Sequence, residues 1–280
     1  MKKTFLVLFF ISFAFCPFLT NASLAVPDVP IRILIVPGHD NKIWGSQYGN
    51  IKEANMNLVL ATNIYDILKK DKKFQVFITR DDNGYTKEFA DYFSLNKLDI
   101  KSFRENSRKE MQNEIISGNF LQKENVKHNP ANEDTSIVLY GINKWANENN
   151  IDAVIHIHFN DYPRKTKWTI GKYKGFAIYM PDKQFLNAKK SEKLAKNIYT
   201  QLSKEYQPSN YEKEKGGFVT DQKLIAIGVG NSLLSSVRSV LIEYGYIYEK
   251  KFRNISTRRE AYKKMAELTA KGIKNYFLGN

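Results

Sequence analysis

Cysteine is almost missing from this chain. Its single thiol, Cys16, sits near the amino terminus, so the rest of the protein can form no disulfide, thiolate nucleophile or thiolate metal site. Any metal must be held by His, Asp and Glu, the nitrogen and oxygen donors that suit a catalytic zinc with one open position. Acidic residues are outnumbered as well: 29 Asp and Glu stand against 43 Lys and Arg, a formal net charge of +14. Internal repeats, low-complexity tracts and an aromatic-basic RNA motif are also absent. The basic residues are dispersed, so the charge is read as adhesion to anionic envelope polymers or lipid headgroups, and nucleic acid is not expected as a partner.

What is present bounds the architecture. A chain of 280 residues, 42% hydrophobic and 26% charged, has ample material for one large α/β domain. Residues 1–25 form a separate unit, with a basic start at Lys2 and Lys3, the apolar run FLVLFFISFAF, and small residues Ser23 and Ala25 before Val26. That pattern is a secretory signal peptide, with an uncleaved anchor as the alternative; Pro17 breaks the run too early for a membrane span. Phe15 ahead of Cys16 does not fit a lipoprotein signal. Cleavage would remove Lys2 and Lys3, leave a charge of +12 and leave no stable membrane span.

Apolar runs at 31–36, 74–78, 151–158, 175–180 and 237–243 alternate with helical patterns at 53–70, 136–149, 189–206 and 258–277. Short buried strands between amphipathic helices predict an α/β fold, a mostly parallel twisted sheet with helices on both faces. Residues 82–135 break the rhythm with loop signals around a charged helical stretch near 98–117, read as a helical insertion or lid on one edge of the sheet.

Ligands in open α/β sheets gather outside the carboxyl ends of the strands. His39 follows the first strand in ILIVPGHDN, Glu53 opens the first long helix, His158 ends IDAVIHIH, and Glu243 ends SVLIE. Two His and a carboxylate can bind a hydrolytic zinc and leave a place for water, while a further carboxylate handles protons. Each also has an ordinary reading: a polar residue after a turn for either histidine, a first-turn acid favoured by the helix dipole for Glu53. Glu243 is the least ordinary, because a carboxylate inside SVLIEYGY is costly to bury without a partner.

The segments IVPGHDN, YGNIKEANMNLVLA, VFITRDD, WANENNIDAVIHIHFND and VLIEYGYI resemble, in order and spacing, the motifs of the zinc-dependent N-acetylmuramoyl-L-alanine amidases of the Amidase_3 type. The resemblance spans about residues 31 to 277. It implies that His39, Glu53 and His158 bind one Zn2+ ion and that Glu243 is the catalytic acid/base. It further implies cleavage of the amide between N-acetylmuramic acid and L-alanine of the stem peptide, with peptidoglycan as substrate. Departures from the family pattern are Asp40 and Asn41 in place of glycine, His156 in place of serine, Tyr140 near an expected arginine, and EYGY where the family has E(T)GF. His156 shares a strand face with His158 but lies about 6.6 Å along the strand, so it is read as a core or supporting residue.

Other readings are a zinc carboxypeptidase or another amide hydrolase, and a non-catalytic basic wall-binding module. Export is expected, to the periplasm or otherwise to the cell wall or medium, with a regulatory activator protein as a further partner.

Overall fold

The computed structural model describes residues 29–123 and 131–279. The segment 1–25 read as a signal peptide, and residues 124–130 of the insertion, lie outside the described residues.

The chain begins with β1 (Ile31–Pro37), a small hairpin of β2 (Gln47–Tyr48) and β3 (Ile51–Lys52), α1 (Glu53–Lys69) and β4 (Phe74–Ile78). A second hairpin of β5 (Arg80–Asp81) and β6 (Gly84–Tyr85) leads into α2 (Lys87–Leu95), α3 (Lys97–Ile116) and α4 (Glu133–Glu148). The remainder is β7 (Ala153–Asn160), β8 (Ala177–Pro181), α5 (Ala188–Leu202), β9 (Phe218–Asp221), β10 (Arg238–Tyr246), α6 (Lys250–Arg253) and α7 (Ile255–Leu278). Six strands form the central sheet in the order β4-β1-β7-β10-β8-β9. All neighbours are parallel except β10 with β8. The expected mostly parallel α/β architecture is what the chain adopts.

Alternation along the strands sorts the side chains between two layers. Ile33, Ile35, Ile155, Ile157, Val240 and Ile242 face a core shared with α1, α5 and α7. Leu34, Val36 and Val154 face a second core closed by Phe89 of α2 and by Ile142 and Trp145 of α4. Strands buried on both faces must be apolar at nearly every position, hence the unbroken aliphatic runs.

The chain moves from β1 outward to β4, then returns to the other side of β1 to form β7. The order of the sheet therefore reverses between β1 and β7, and a crevice opens outside their carboxyl ends. His39 and His158 lie there.

Helices α2 and α3, from the stretch read as an insertion, pack on the second layer of the fold. Phe89 packs on Trp145 with ring centroids 4.7 Å apart, and Arg104 of α3 pairs with Glu133 at the start of α4. Met111 and Ile115 join Phe120, Phe185 and Ala188 in a satellite core. Tyr140, the residue near the missing family arginine, meets Phe103 of α3 edge-on at 6.3 Å and has the Arg108 guanidinium 5.8 Å from its ring. Helix α4 starts three residues earlier than the apolar period suggests because Asn132 caps it, accepting from the Thr135 N–H at 2.8 Å.

Ile155 is fully buried in the strand at the centre of the sheet. Ile155→Ala should lower unfolding stability by about 2–5 kcal/mol. Urea titration should show a lower midpoint at constant slope, and an unchanged midpoint would contradict this packing.

Candidate metal centre

Strand β1 runs into Gly38, whose N–H donates to the Ile157 carbonyl of β7 at 2.9 Å. His39 then takes a left-handed backbone, φ 61°, a conformation that non-glycine residues adopt at some cost and that recurs at functional sites. The next turn is closed by Asp40, whose carboxylate accepts from the N–H groups of Lys42 and Ile43 at 2.8 and 2.7 Å. The side chain thus builds locally the turn for which the family pattern has glycine.

The same loop caps α1. Lys52 gives the helix no side-chain cap, and the N–H groups of Glu53 and Ala54 donate instead to the carbonyls of Ser46 and Trp44, at 2.9 and 3.0 Å. Glu53 is thereby held at the crevice.

His39, Glu53 and His158 converge, each offering one ligand atom, with those atoms all within 4.8 Å of one another. Glu53 Oε1 lies 3.1 Å from His158 Nδ1 and 3.3 Å from His39 Nε2. Its carboxylate also accepts from the Ser46 N–H at 2.9 Å and from the Phe159 N–H and Asn57 amide, each at 3.3 Å. Burial by itself would raise the carboxyl pKa, but the bonds to His158 and His39 prevail and hold it far below the usual range. Burial pulls down the pKa of both imidazoles. For His39 the hydrogen bond and charge of Glu53 outweigh it and leave the pKa raised, whereas for His158 burial prevails. Only 4% of the Glu53 side chain is exposed against 30% of His39, so the cluster is entered from the His39 side.

Two imidazoles and one ionised carboxylate fit a borderline divalent ion such as zinc, with a coordination position left for water or substrate. Glu243 stands beside the triad. It pairs in register with His158 across the β10–β7 ladder, and its buried Oε2 has no hydrogen-bond partner among the described residues. Burial, reinforced by the charges of Glu53 and Glu214, raises its pKa well above that of an ordinary carboxyl. A desolvated acid with free hydrogen-bonding capacity is poised to exchange protons.

Glu214 carries no signal in the sequence pattern, since it sits in a charged run, EKEK. The fold buries it, and its carboxylate accepts from the Asn160 amide and Tyr179 hydroxyl at 2.6 Å each, the Ser209 hydroxyl at 2.6 Å and the Tyr246 hydroxyl at 2.9 Å. It joins the carboxyl ends of β7 and β10, at Asn160 and Tyr246, to the middle of the antiparallel neighbour β8 at Tyr179. Tyr246 is the tyrosine in EYGY where the family has phenylalanine, and Glu214 supplies the partner its buried hydroxyl requires.

Three further positioning residues emerge. Asn57, one turn after Glu53, donates to the Gly38 carbonyl at 2.9 Å. Arg80, the arginine of the TR motif, is buried and donates to the carbonyls of Ala54 at 2.8 Å and Gly38 at 3.4 Å, tying the Glu53 and His39 segments together. Gly38 leaves room for the His158 ring, where a Cβ would come within 2.2 Å of Cε1 and Nε2. His156 is buried, with a bond to the Ala226 backbone and no partner for its Nε2 among the described residues. It serves the core between β7 and the loop ahead of β10.

Residues 33–275 match the family described as N-acetylmuramoyl-L-alanine amidase. No curated protein matches the chain. Among solved structures, the N-acetylmuramoyl-L-alanine amidase from Clostridium difficile 630 aligns with TM-score 0.54 and 17% identity over 90% of this chain and 98% of its own. The CwlD amidase from Clostridioides difficile, solved in complex with the GerS lipoprotein, aligns with TM-score 0.58 and 17% identity over 89% and 100%. The catalytic domain of CwlV, the amidase from Bacillus (Paenibacillus) polymyxa, gives 0.56 and 15% over 89% and 99%. At these identities the structural likeness speaks for the fold.

Gly38→Ala should push the His158 ring aside and weaken binding of an added divalent ion such as zinc at least about tenfold, as read by competition with a chromophoric chelator; wild-type affinity would show that this close approach does not set the ring. His156 makes a separate prediction. Burial, aided by the charge of His158, pushes its pKa down to about 3. Below about pH 6.5 the unfolded chain protonates this histidine while the folded chain does not, so its contribution is a loss of stability as pH falls toward 3. In metal-free protein, His156→Gln should flatten the stability slope between about pH 6 and 4 by roughly 1.4 kcal/mol per pH unit; parallel slopes would refute it.

Proposed function

Because the chain belongs to the N-acetylmuramoyl-L-alanine amidase family, we propose that His39, Glu53 and His158 hold one zinc ion and that Glu243 moves the protons of amide hydrolysis. The protein is a peptidoglycan hydrolase, cleaving the bond between N-acetylmuramic acid and the L-alanine of the stem peptide. The observation that carries the zinc assignment is the convergence of two imidazoles and a buried carboxylate within 4.8 Å of one another.

Bound zinc would supply Lewis-acid polarisation of the lactyl carbonyl and acidify a water molecule. The chain's own residues do the rest. Glu53, held by the Ser46 and Phe159 N–H groups, stays ionised and keeps both imidazoles turned toward it. Glu243, whose proton affinity is raised by burial and then by its acidic neighbours, takes a proton from the attacking water and delivers it to the departing alanine nitrogen. The lactyl C–N bond breaks, the water oxygen stays on the lactyl carbonyl, and the nitrogen leaves as an amine.

The basic start and apolar run of residues 1–25 support export to the compartment where peptidoglycan lies, with the periplasm as the proposed location and the cell wall or medium as the alternative. No helix among the described residues is long and apolar enough to cross a membrane. The net charge of +14 supports contact with anionic envelope polymers. The relative solved with a lipoprotein bound supports a regulatory protein partner here too.

Purified sacculi incubated with zinc-loaded protein should release stem peptides bearing a free N-terminal L-alanine. Glu243→Ala should lower turnover by about 10²–10⁴-fold and retain its metal. Products cut inside the peptide with the muramoyl amide intact, or full activity of Glu243→Ala, would overturn this assignment.

A further inference from the structure

The loops that follow β1 and β7 carry an exposed aromatic and basic face that hydrolysis itself leaves unused. Trp168 is 60% exposed and Trp44 40% exposed. The six-membered ring of Trp168 rests on Gly49, where a Cβ would come within 2.4 Å of it, and Tyr48 meets it edge-on at 6.3 Å. Trp44 lies under the Lys52 ammonium, 4.1 Å from the ring, and its carbonyl caps α1 one residue beyond Glu53. The β2–β3 hairpin joins the two indoles and leads directly into Glu53, so this face is continuous with the crevice.

The face is held rigidly. Arg164, its side chain 6% exposed, clamps the loop after β7: Nε and Nη2 grip the Asp161 carboxylate at 2.8 and 2.7 Å. Its Nη1 donates to the carbonyls of Lys167 and Thr169 at 3.1 and 3.0 Å, and its Nη2 to that of Gln47 at 2.8 Å. The Gly49 N–H closes the seam on the Lys167 carbonyl at 3.0 Å. A cavity of about 480 Å³ runs along this seam, lined in part by Gln47, Lys165 and Thr166. An indole kept at the surface by a buried, fully engaged guanidinium is preorganised for a ligand, which loses less entropy on meeting it.

The chemistry selects the ligand. A flat aromatic face bordered by an amide, a hydroxyl and ammonium groups matches a pyranose ring that offers C–H bonds on one side, hydroxyl and N-acetyl groups at its edge, and carboxylates on the attached peptide. A bilayer would need a continuous apolar surface, which Gln47, Asp161, Thr166 and Thr169 interrupt. We propose that Trp168 and Trp44, with Lys52, Lys165 and Lys167, seat the glycan strand and neighbouring stem-peptide carboxylates of peptidoglycan beside the scissile amide. The proposal rests on the amidase reading above.

The test compares zinc-loaded wild type, W168A, W168F and the K165A/K167A pair on purified sacculi and on a soluble muramoyl dipeptide too short to span this face. W168A should lower the ratio of sacculus to dipeptide kcat/KM about tenfold, through KM, and weaken co-sedimentation with sacculi. W168F should recover most of the loss, and K165A/K167A should reduce the salt dependence of binding. A ratio unchanged in W168A, or equal losses on both substrates, would overturn the proposal. So would wild-type binding to phosphatidylglycerol vesicles that W168A abolishes. Wild type that sediments with sacculi through Trp168 but cleaves neither substrate would overturn the amidase reading and uphold this surface.

Discussion

The Glu53 carboxylate is the interaction on which the rest of the site depends. It is buried at the first turn of a helix, yet its ligands come from three separate places: the loop after β1, the end of β7, and its own helix one turn on. Burying an ionised carboxylate without such partners would cost several kcal/mol. The imidazoles and N–H groups that offset this cost are the same groups that bring the two histidines to one point. Stability and function are coupled through one side chain, and the strained backbone at His39 is tolerated because the surrounding bonds over-determine it.

Around that point the fold distributes charge unevenly. Glu53 is driven to ionise by its histidines, while Glu243, a neighbour across the same crevice, is desolvated and faces two acids. Carboxyl groups whose environments push their pKa values apart are suited to separate tasks. Glu214 contributes to both halves of this arrangement, adding negative charge toward Glu243 and tying β7, β8 and β10 together beside it. The buried guanidinium of Arg80 is bonded to carbonyls beside both His39 and Glu53.

The departures from the family motifs have local explanations. Asp40 builds a turn with its side chain, Tyr246 finds Glu214, and Tyr140 fills space against Phe103 and Arg108 of the inserted α3. Tyr246 and Tyr140 find partners from distant segments while Asp40 is satisfied within its own turn, so the convergence of His39, Glu53 and His158 survives while the surroundings change. The basic, aromatic face beside the crevice is built in the same way, on an arginine that the fold buries and a tryptophan that it leaves out.

The main strands and the long helices were legible in the sequence, because hydrophobic periodicity is a local property, and the candidate residues followed from where ligands gather in a parallel sheet. His39, His158 and Glu243 could be named from their places at strand ends, and Glu53 from its place at the start of the first long helix. Helix α2, its packing into the second core, and the short strand β9 were not legible, since these elements are short and their burial depends on partners distant in sequence. The roles of Glu214 and Arg164 likewise depended on tertiary structure. Each sits in a run of charged residues that reads as solvated surface, and a charge becomes a buried hub only when hydroxyls, amides or carbonyls from remote segments replace its water.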